Sequence, residues 1–285
     1  MMNRHTRLFT FLLLGTIILI GCGSGAEKEE GEAENFTDTM AHEHAGDHPV
    51  GNDVAWMQPS VPVKGEDVSY ASEVKGYLAI PEEGEKPTAG LIVIHEWWGL
   101  NDNVRAMTRR LAGEGYLALA VDLYDGNVAS VPDSAKVYMG SVMQNPDAGV
   151  QNIGKAISYL KGKGATKIGV IGWCFGGGWS LQTAINYPDD IAAMIMYYGQ
   201  LEMDLEKLKK LKMPILGIFG EKDQGIPVEQ VDKFGAALNS LSANAAIQIY
   251  PNAGHAFANP SGERYNEGAA RDAWERTSAF LKQNL

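Results

Sequence analysis

Cysteine is scarce in this sequence, which has only two in 285 residues, Cys22 and Cys174. Two thiols allow at most one disulfide, so a small domain that depends on several disulfide bonds is excluded. If processing of the chain modifies or removes Cys22, Cys174 is the only free thiol left. A lone thiol of this kind is either a reactive group or a small buried hydrophobe.

Positively charged residues are also few. The chain has 24 Lys and Arg against 35 Asp and Glu, which gives a formal net charge of −11. This balance argues against binding to nucleic acid and against adhesion to anionic lipid by charge. Much of the acidity is local, because residues 23–52 hold eight Asp and Glu but a single Lys. Such a segment buries too little apolar surface to order itself, so we expect a flexible tether.

The chain has no apolar run long enough to cross a bilayer. Its longest such run, Leu8 to Ile20, follows Arg4 and Arg7 and ends in Leu-Ile-Gly-Cys22. A short apolar core behind a positive start is typical of an export signal. The four residues that end at Cys22 resemble a bacterial lipobox. The resemblance implies a lipoprotein signal peptide over residues 1–21 and a lipid on Cys22, with ordinary secretion as the alternative.

We therefore expect three segments. Residues 1–21 are the signal peptide, residues 22–59 are a lipid-anchored acidic tether, and residues 60–285 are one folded domain. In that domain aliphatic strand patterns alternate with amphipathic helix patterns, starting with one extended run from Val68 to Ile80. The alternation predicts an α/β domain with a mostly parallel central sheet flanked by helices. The anchor would place it on a bacterial membrane, facing the periplasm or the cell surface.

The expected tether contains the motif H42-E43-H44-A45-G46-D47-H48. His42, His44 and His48, with two carboxylates, could bind Zn²⁺ or Cu²⁺ weakly. Solvated low-complexity sequence is the simpler interpretation, and we favour it. The sequence thus predicts no metal and no cofactor for the folded domain.

The motif G172-W173-C174-F175-G176 stands between a strand pattern and a helix pattern. It is the nucleophile elbow G-x-S-x-G with cysteine in the serine position. The strained turn needs glycine neighbours, and the helix that follows directs its first amides at the site. These features predict a nucleophilic thiol at Cys174, the alternative being a buried structural cysteine at a tight turn.

Proteins with this elbow order their catalytic groups as nucleophile, acid and histidine. Beyond residue 59 the only histidines are His95 and His255, and only His255 follows Cys174. Between them, Asp223 stands in a loop directly after a strand pattern, where catalytic groups of parallel sheets gather. We expect the triad Cys174, His255 and Asp223, with Glu221 and Glu229 as weaker candidates for the acid.

The loop H95-E96-W97-W98-G99 follows the strand that supplies the second oxyanion amide in this kind of site. The backbone N–H groups of Trp97 and Phe175 are therefore expected to hold the oxyanion. Glu96 is expected near the thiol, the alternative being an ordinary surface carboxylate.

Five segments together are similar to the dienelactone hydrolase family: E96-W-W-G-L-N, D122-L-Y, G-W-C174-F-G-G, G-x-x-D223 and G-H255-A-F. They fall in the family's order from about Ser60 to Leu285. The resemblance implies an α/β-hydrolase fold and the triad named above. It also implies that Glu96 hydrogen-bonds the resting thiol and moves when substrate arrives.

The sequence departs from the family where arginines grip the substrate carboxylate. The segments D125-G126-N127 and A256-F257-A258-N259 hold no arginine, and the nearby Arg264 is not a matched position.

We expect the protein to hydrolyse activated esters or lactones as a monomer, through an acyl-thioester. The alternatives are a broad carboxylesterase or thioesterase, and a non-catalytic lipoprotein that binds a ligand. The residues expected to line the pocket are Trp98, Tyr124, Trp173, Phe257 and Arg264, the aromatic ones with core packing as the alternative.

Overall fold

The structure is a computed structural model that describes residues 37–44, 47, 54–72 and 74–285. Among these, an eight-stranded sheet has the order β1-β2-β4-β3-β5-β6-β7-β8. The strands are β1 Val63–Ser69, β2 Lys75–Pro81, β3 Ala89–Ile94, β4 Leu117–Val121, β5 Lys167–Trp173, β6 Ala193–Tyr197, β7 Ile215–Gly220 and β8 Ala245–Tyr250.

Helices connect the strands of this sheet. They are α1 at residues 37–43, α2 Asp102–Gly113, α3 Pro132–Gln144, α4 Pro146–Gly162, α5 Phe175–Asn186, α6 Leu205–Leu208, α7 Val228–Ser240 and α8 Glu267–Asn284, with a 3₁₀ turn at Ala55–Met57. Asn101 caps α2 by accepting a hydrogen bond from the Val104 amide at 3.1 Å. The α/β-hydrolase fold expected from the sequence is confirmed.

The extended run from Val68 to Ile80 was predicted as one strand, and this is wrong. The chain turns between Ser69 and Lys75, so that β1 and β2 form an antiparallel hairpin. The Tyr70 amide donates to the Val74 carbonyl at 3.0 Å within that turn. The prediction missed the turn because the segment lacks proline there and its polar residues fit an exposed edge strand equally well.

Parallel pairing brings the strand ends to one edge of the sheet. Ile94 of β3 lies opposite Gly172 of β5, and Gly220 of β7 lies opposite Tyr250 of β8. β3 lies between β4 and β5, so the strand order reverses there, and crossover helices leave on opposite faces. In such sheets the cleft opens at the carboxyl ends beside the reversal. The loops after β3 and β5 are therefore the expected walls of a site.

Part of the segment expected to be a tether is packed against the domain. Met40 and His44 are fully buried, and Met57, just before β1, is 2% exposed. This differs from the solvated segment that its composition suggested. The remainder of the signal and tether, including Cys22 and His48, lies outside the described residues. No helix of the described residues is both long and apolar enough to cross a membrane.

Candidate active site

Cys174 occupies the turn between β5 and α5 with φ of 54° and ψ of −119°. Few non-glycine residues adopt a positive φ, and such strain persists only where neighbours hold it. The Cys174 amide donates to the Tyr197 carbonyl of β6 at 3.0 Å. A Cβ on Gly172 would collide with the Gly176 carbonyl, and a Cβ on Gly176 would collide with the Ile94 carbonyl. Both glycines are thus required for the elbow.

His255 and Asp223 lie together in the loops after β8 and β7. The Nδ1 of His255 donates to Asp223 Oδ2 at 2.8 Å, and both side chains are fully buried. The Asp223 Oδ1 accepts from the Ile226 amide at 2.8 Å, which fixes the carboxylate. Because Nδ1 carries the proton, the Nε2 of His255 is left to exchange a proton with the nucleophile. The structure thus brings the three predicted triad residues to one site.

Charge separation between thiol and imidazole dominates the electrostatics. Burial opposes ionisation of Cys174, but the nearby imidazoles of His255 and His44 outweigh it and lower the thiol pKa to about 6. Burial likewise opposes the imidazolium, but the charges of Asp223 and Cys174 raise the pKa of His255 well above its ordinary value. The pair therefore favours thiolate and imidazolium at neutral pH, which is the reactive form of a cysteine nucleophile.

Glu96 is buried near the thiol, 3% exposed, but its identified hydrogen bond is to another residue. The side-chain amide of Asn259 donates to Glu96 Oε2, while Oε1 has no partner among the described residues. Burial and the nearby Cys174 charge raise the Glu96 pKa to about 7. Asn259 was missed as a site residue because its bond to Glu96 joins segments 163 residues apart, which no local pattern reveals.

Trp97 and Phe175 lie in the loop after β3 and at the start of α5, the two segments from which the oxyanion hole is predicted. Trp97 follows β3, and Phe175 is the first residue of α5, whose first amides have no acceptor within the helix. The close approach of Gly176 to the Ile94 and His95 carbonyls shows that the two loops are in contact. The oxyanion role of these two amides stays a prediction.

His95 has a structural role. Its Nδ1 contacts the Glu96 carbonyl at 2.6 Å, and its Nε2 accepts from the Leu123 amide at 3.2 Å. Burial lowers its pKa, so the neutral ring bridges the loops after β3 and β4. This fits its position before the nucleophile, which excluded it as the base.

The expected pocket residues divide into two groups. Trp98 and Tyr124 lie by the site: the Trp98 ring is 5.7 Å from the His44 ring, and the Tyr124 ring is 5.5 Å from that of Phe175. Trp173 and Phe257 pack against tyrosines, Tyr197 at 5.4 Å and Tyr198 at 5.5 Å respectively. Trp173 also lines a small cavity beside Glu96 and Asn259, so the pocket role of these residues stays a prediction.

The N-terminal helix α1 covers the nucleophile. His44 stacks on Trp97 with 4.6 Å between ring centroids, and its Nε2 lies 3.9 Å from Cys174 Sγ. The Met40 Sδ lies 4.0 Å from the same sulfur. Cys174 is consequently only 1% exposed. The sequence showed the histidine cluster, but its polar surroundings favoured solvation, and no local pattern reveals a long-range contact.

Arg264 secures this cover rather than standing open to a ligand. Its Nη2 donates to Asp47 Oδ2 at 2.9 Å, and its Nε donates to the His255 carbonyl at 3.1 Å. Glu43 adds a second link, because its Oε1 accepts from the Gln224 amide at 3.3 Å. The guanidinium is 26% exposed and lies beside the triad histidine, and its role in a substrate pocket stays a prediction.

The fold and this geometry define an α/β-hydrolase with a cysteine nucleophile. Residues 74–285 match the model of the dienelactone hydrolase family, and the chain belongs to that family. Two relatives bear the printed name "Putative carboxymethylenebutenolidase". The one from Saccharolobus solfataricus is 34% identical over 252 residues, covering 75% of this chain and 96% of the relative. The one from Escherichia coli K12 is 31% identical, covering 75% and 84%.

A solved structure agrees with this assignment. The Klebsiella pneumoniae protein described as a "Putative Dienelactone Hydrolase" superposes with a TM-score of 0.71 at 27% identity. The match covers 78% of this chain and 99% of that one. The part of this chain that the match does not cover is about as long as the N-terminal region before β1.

The acylation rate should rise with pH through about 6, the pKa of the Cys174 thiol, because only the thiolate attacks. In His255→Asn the rate should fall, and the midpoint should move up towards the ordinary thiol value of about 8.5. The measurement is the burst of p-nitrophenol release in stopped flow, with a chelator present. An unchanged midpoint in the variant would show that His255 does not set the thiol pKa.

Loosening α1 should expose the thiol. In the double variant Glu43→Gln, Asp47→Asn the links to Gln224 and Arg264 are weakened, so alkylation of Cys174 by iodoacetamide should accelerate several-fold. Asp38→Asn is the matched control, because its carboxylate on the same helix is exposed and pairs only with Lys136 at the surface. Equal rates in wild type and double variant would mean that α1 does not limit access.

Proposed function

We propose that this protein hydrolyses activated esters or lactones through an acyl-thioester on Cys174. The observation that carries the proposal is the strained elbow that presents the Cys174 thiol beside the buried His255–Asp223 pair. The relatives named as carboxymethylenebutenolidases support the same class of reaction. The alternatives are a broad carboxylesterase or thioesterase, and a ligand-binding protein without turnover.

The reaction follows from the charges at the site. The Cys174 thiolate attacks the carbonyl carbon, and we expect the amides of Trp97 and Phe175 to stabilise the oxyanion. The imidazolium of His255 gives its Nε2 proton to the leaving oxygen as that bond breaks. A water molecule then attacks the thioester while His255 takes its proton, and the thiolate leaves. Asp223 holds the imidazole in the required tautomer throughout.

Leaving-group chemistry restricts the substrate. A thiolate, with an ordinary thiol pKa of about 8.5, leaves a tetrahedral intermediate more easily than an alkoxide does. A simple alkyl ester would therefore expel Cys174 again. Enol lactones, aryl esters and thioesters expel a better leaving group, so acylation goes forward with them.

Arg264 is the cation that we assign to a substrate carboxylate. Its guanidinium already holds a carboxylate, that of Asp47, and it bonds the main chain of His255. A substrate anion would take the place of Asp47 once α1 moves aside. Arg–carboxylate pairs are strong and directional, so this exchange would orient the substrate over the thiol.

Substrate preference and the dependence on Cys174 test the proposal together. The wild-type protein should turn over p-nitrophenyl acetate and a dienelactone much faster than ethyl acetate. Cys174→Ala should lose about 10³-fold or more on both activated substrates. Steady-state rates on the three substrates are the measurement.

Two results would contradict this proposal. Full activity in Cys174→Ala would remove the thiol from the mechanism. Ethyl and aryl esters turning over equally fast, with acylation limiting, would contradict the leaving-group argument. If no activated ester is turned over and an ester-mimicking inhibitor fails to label Cys174, the protein is a binding protein.

We further infer that residues 1–21 are a lipoprotein signal peptide and that Cys22 carries a lipid. Support comes from the positive start, the short apolar core and the small residues before Cys22. Acyl chains contribute about 0.8 kcal/mol per buried CH₂, so two or more anchor a protein stably. The domain would act at a bacterial membrane surface, in the periplasm or outside the cell. We also propose that it acts as a monomer.

Cys22→Ser should release the protein from the membrane fraction, because the lipid has no other attachment point in this scheme. Cell fractionation followed by immunoblotting measures the change, and mass spectrometry of the N-terminal peptide checks for the lipid. Cys174→Ser is the matched control and should stay with the membrane. Unchanged partitioning of Cys22→Ser would refute the anchor.

A further inference from the structure

Two buried histidines and one cysteine converge where α1 meets the triad. His44, Cys174 and His255 each offer one ligand atom, and these three atoms all lie within 4.8 Å of one another. All three side chains are buried. Two of the three belong to the catalytic triad, whereas His44 comes from the N-terminal segment.

The second nitrogen of each histidine is bound to a carboxylate. His44 Nδ1 is 2.7 Å from Asp47 Oδ2, and His255 Nδ1 is 2.8 Å from Asp223 Oδ2. A carboxylate on the far nitrogen is the arrangement that orients histidine ligands at metal centres and raises their basicity. It leaves the Nε2 lone pairs of both rings directed at the space beside Cys174.

That space contains a buried polar atom without a partner. The Nε2 of His255 finds no hydrogen bond among the described residues. Unsatisfied buried nitrogen atoms are rare in folded proteins and call for an explanation such as an absent ion. The unpartnered nitrogen lies in the same cluster as the other two ligand atoms.

Two of the distances are close to those around a bound metal ion, whereas the widest separation in the cluster, up to 4.8 Å, must shorten by about 1.3 Å. Metal bonds of about 2.3 Å to sulfur and about 2.0 Å to nitrogen place tetrahedral ligand atoms about 3.5 Å apart. Cys174 Sγ and His44 Nε2 are 3.9 Å apart, and Met40 Sδ is 4.0 Å from Sγ. A contraction of about half an ångström therefore brings these pairs into ligand geometry.

The donor set indicates which metal fits. Thiolate and thioether are soft ligands that select copper(I), and two histidines with one cysteine and a weak methionine are a copper-binding set. We propose that His44, Cys174 and His255, with Met40 as a weak fourth ligand, form a copper(I) site that links α1 to the triad. On binding, the proton that His255 Nε2 carries in the resting thiolate–imidazolium pair is released to solvent, and both Nε2 lone pairs and the Cys174 thiolate coordinate the ion. The bound ion would occupy both the nucleophile and the base, so it would stop hydrolysis until removed.

Copper binding is measured on the full-length mature protein without substrate. Anaerobic titration of copper(I) against the colorimetric chelator bicinchoninate should show one tight equivalent. His44→Ala and Cys174→Ala should each lose that equivalent, and Met40→Leu should keep it with weaker affinity. X-ray absorption of the loaded protein should show both nitrogen and sulfur neighbours of copper.

His42→Ala is the matched control. His42 is an exposed histidine on the same helix, two residues before His44, so its loss should leave binding unchanged. Circular dichroism of each variant confirms that the sheet is intact. Absence of tight binding in wild type, or equal weakening by His42→Ala and His44→Ala, would overturn the proposal.

The copper site and the hydrolase proposal fail separately. The titration needs no turnover, so an inactive protein that binds one copper ion would refute hydrolysis and leave the site standing. An active hydrolase that does not bind copper would refute the copper site and leave the hydrolase proposal standing. In a hydrolase that binds copper, one equivalent should abolish wild-type activity and leave that of His44→Ala nearly unchanged, and a copper chelator should restore the wild type.

Discussion

The backbone of Cys174 is the constraint on which the rest of the site depends. Its positive φ is unfavourable for any residue with a side chain, so the turn persists only because its surroundings determine it. Gly172 and Gly176 make the turn sterically possible, and the hydrogen bond to Tyr197 holds it against β6. The result is a thiol displayed above the sheet, next to the start of α5. A relaxed turn would withdraw the sulfur from His255 and end their mutual charge stabilisation.

The aligned strand ends bring the other loops of the active site next to this turn. Ile94 pairs with Gly172, and Gly220 pairs with Tyr250, so the loops that follow leave the sheet at a common level. The pairing of β3 with β5 brings the Trp97 loop to the nucleophile, and the pairing of β7 with β8 brings Asp223 to His255. Burial then amplifies every charge at this edge, because little water remains to screen it. This explains the displaced pKa values of the Cys174 thiol, the His255 imidazole and the carboxyl groups of Glu96 and Asp223.

Local signals in the sequence were sufficient for the fold and the triad. The elbow, the carboxylate after β7 and the histidine after β8 are each marked by short patterns beside a strand, and strand order places them together. The hairpin of β1 and β2 was missed, because its turn carries no distinctive residue. Asn259, Met40 and His44 were missed for a different reason. Their roles rest on contacts between segments 130 or more residues apart, such as that of His44 with Cys174, which no periodicity encodes.

The position of α1 in the cleft follows from a narrow balance of free energies. Ordering a residue costs about 1–2 kcal/mol of backbone entropy, whereas burying a side chain such as Met40 contributes about 1.5–3 kcal/mol. The other contacts are ring contacts of His44, ion pairs to Lys136 and Arg264, and hydrogen bonds from two main-chain amides, each of modest size. Because these gains largely offset the entropy cost, such a segment opens locally, as lids over active sites do. A small change at its contacts, such as a substrate anion at Arg264 or a ligand between His44 and Cys174, therefore decides whether the thiol is covered or free.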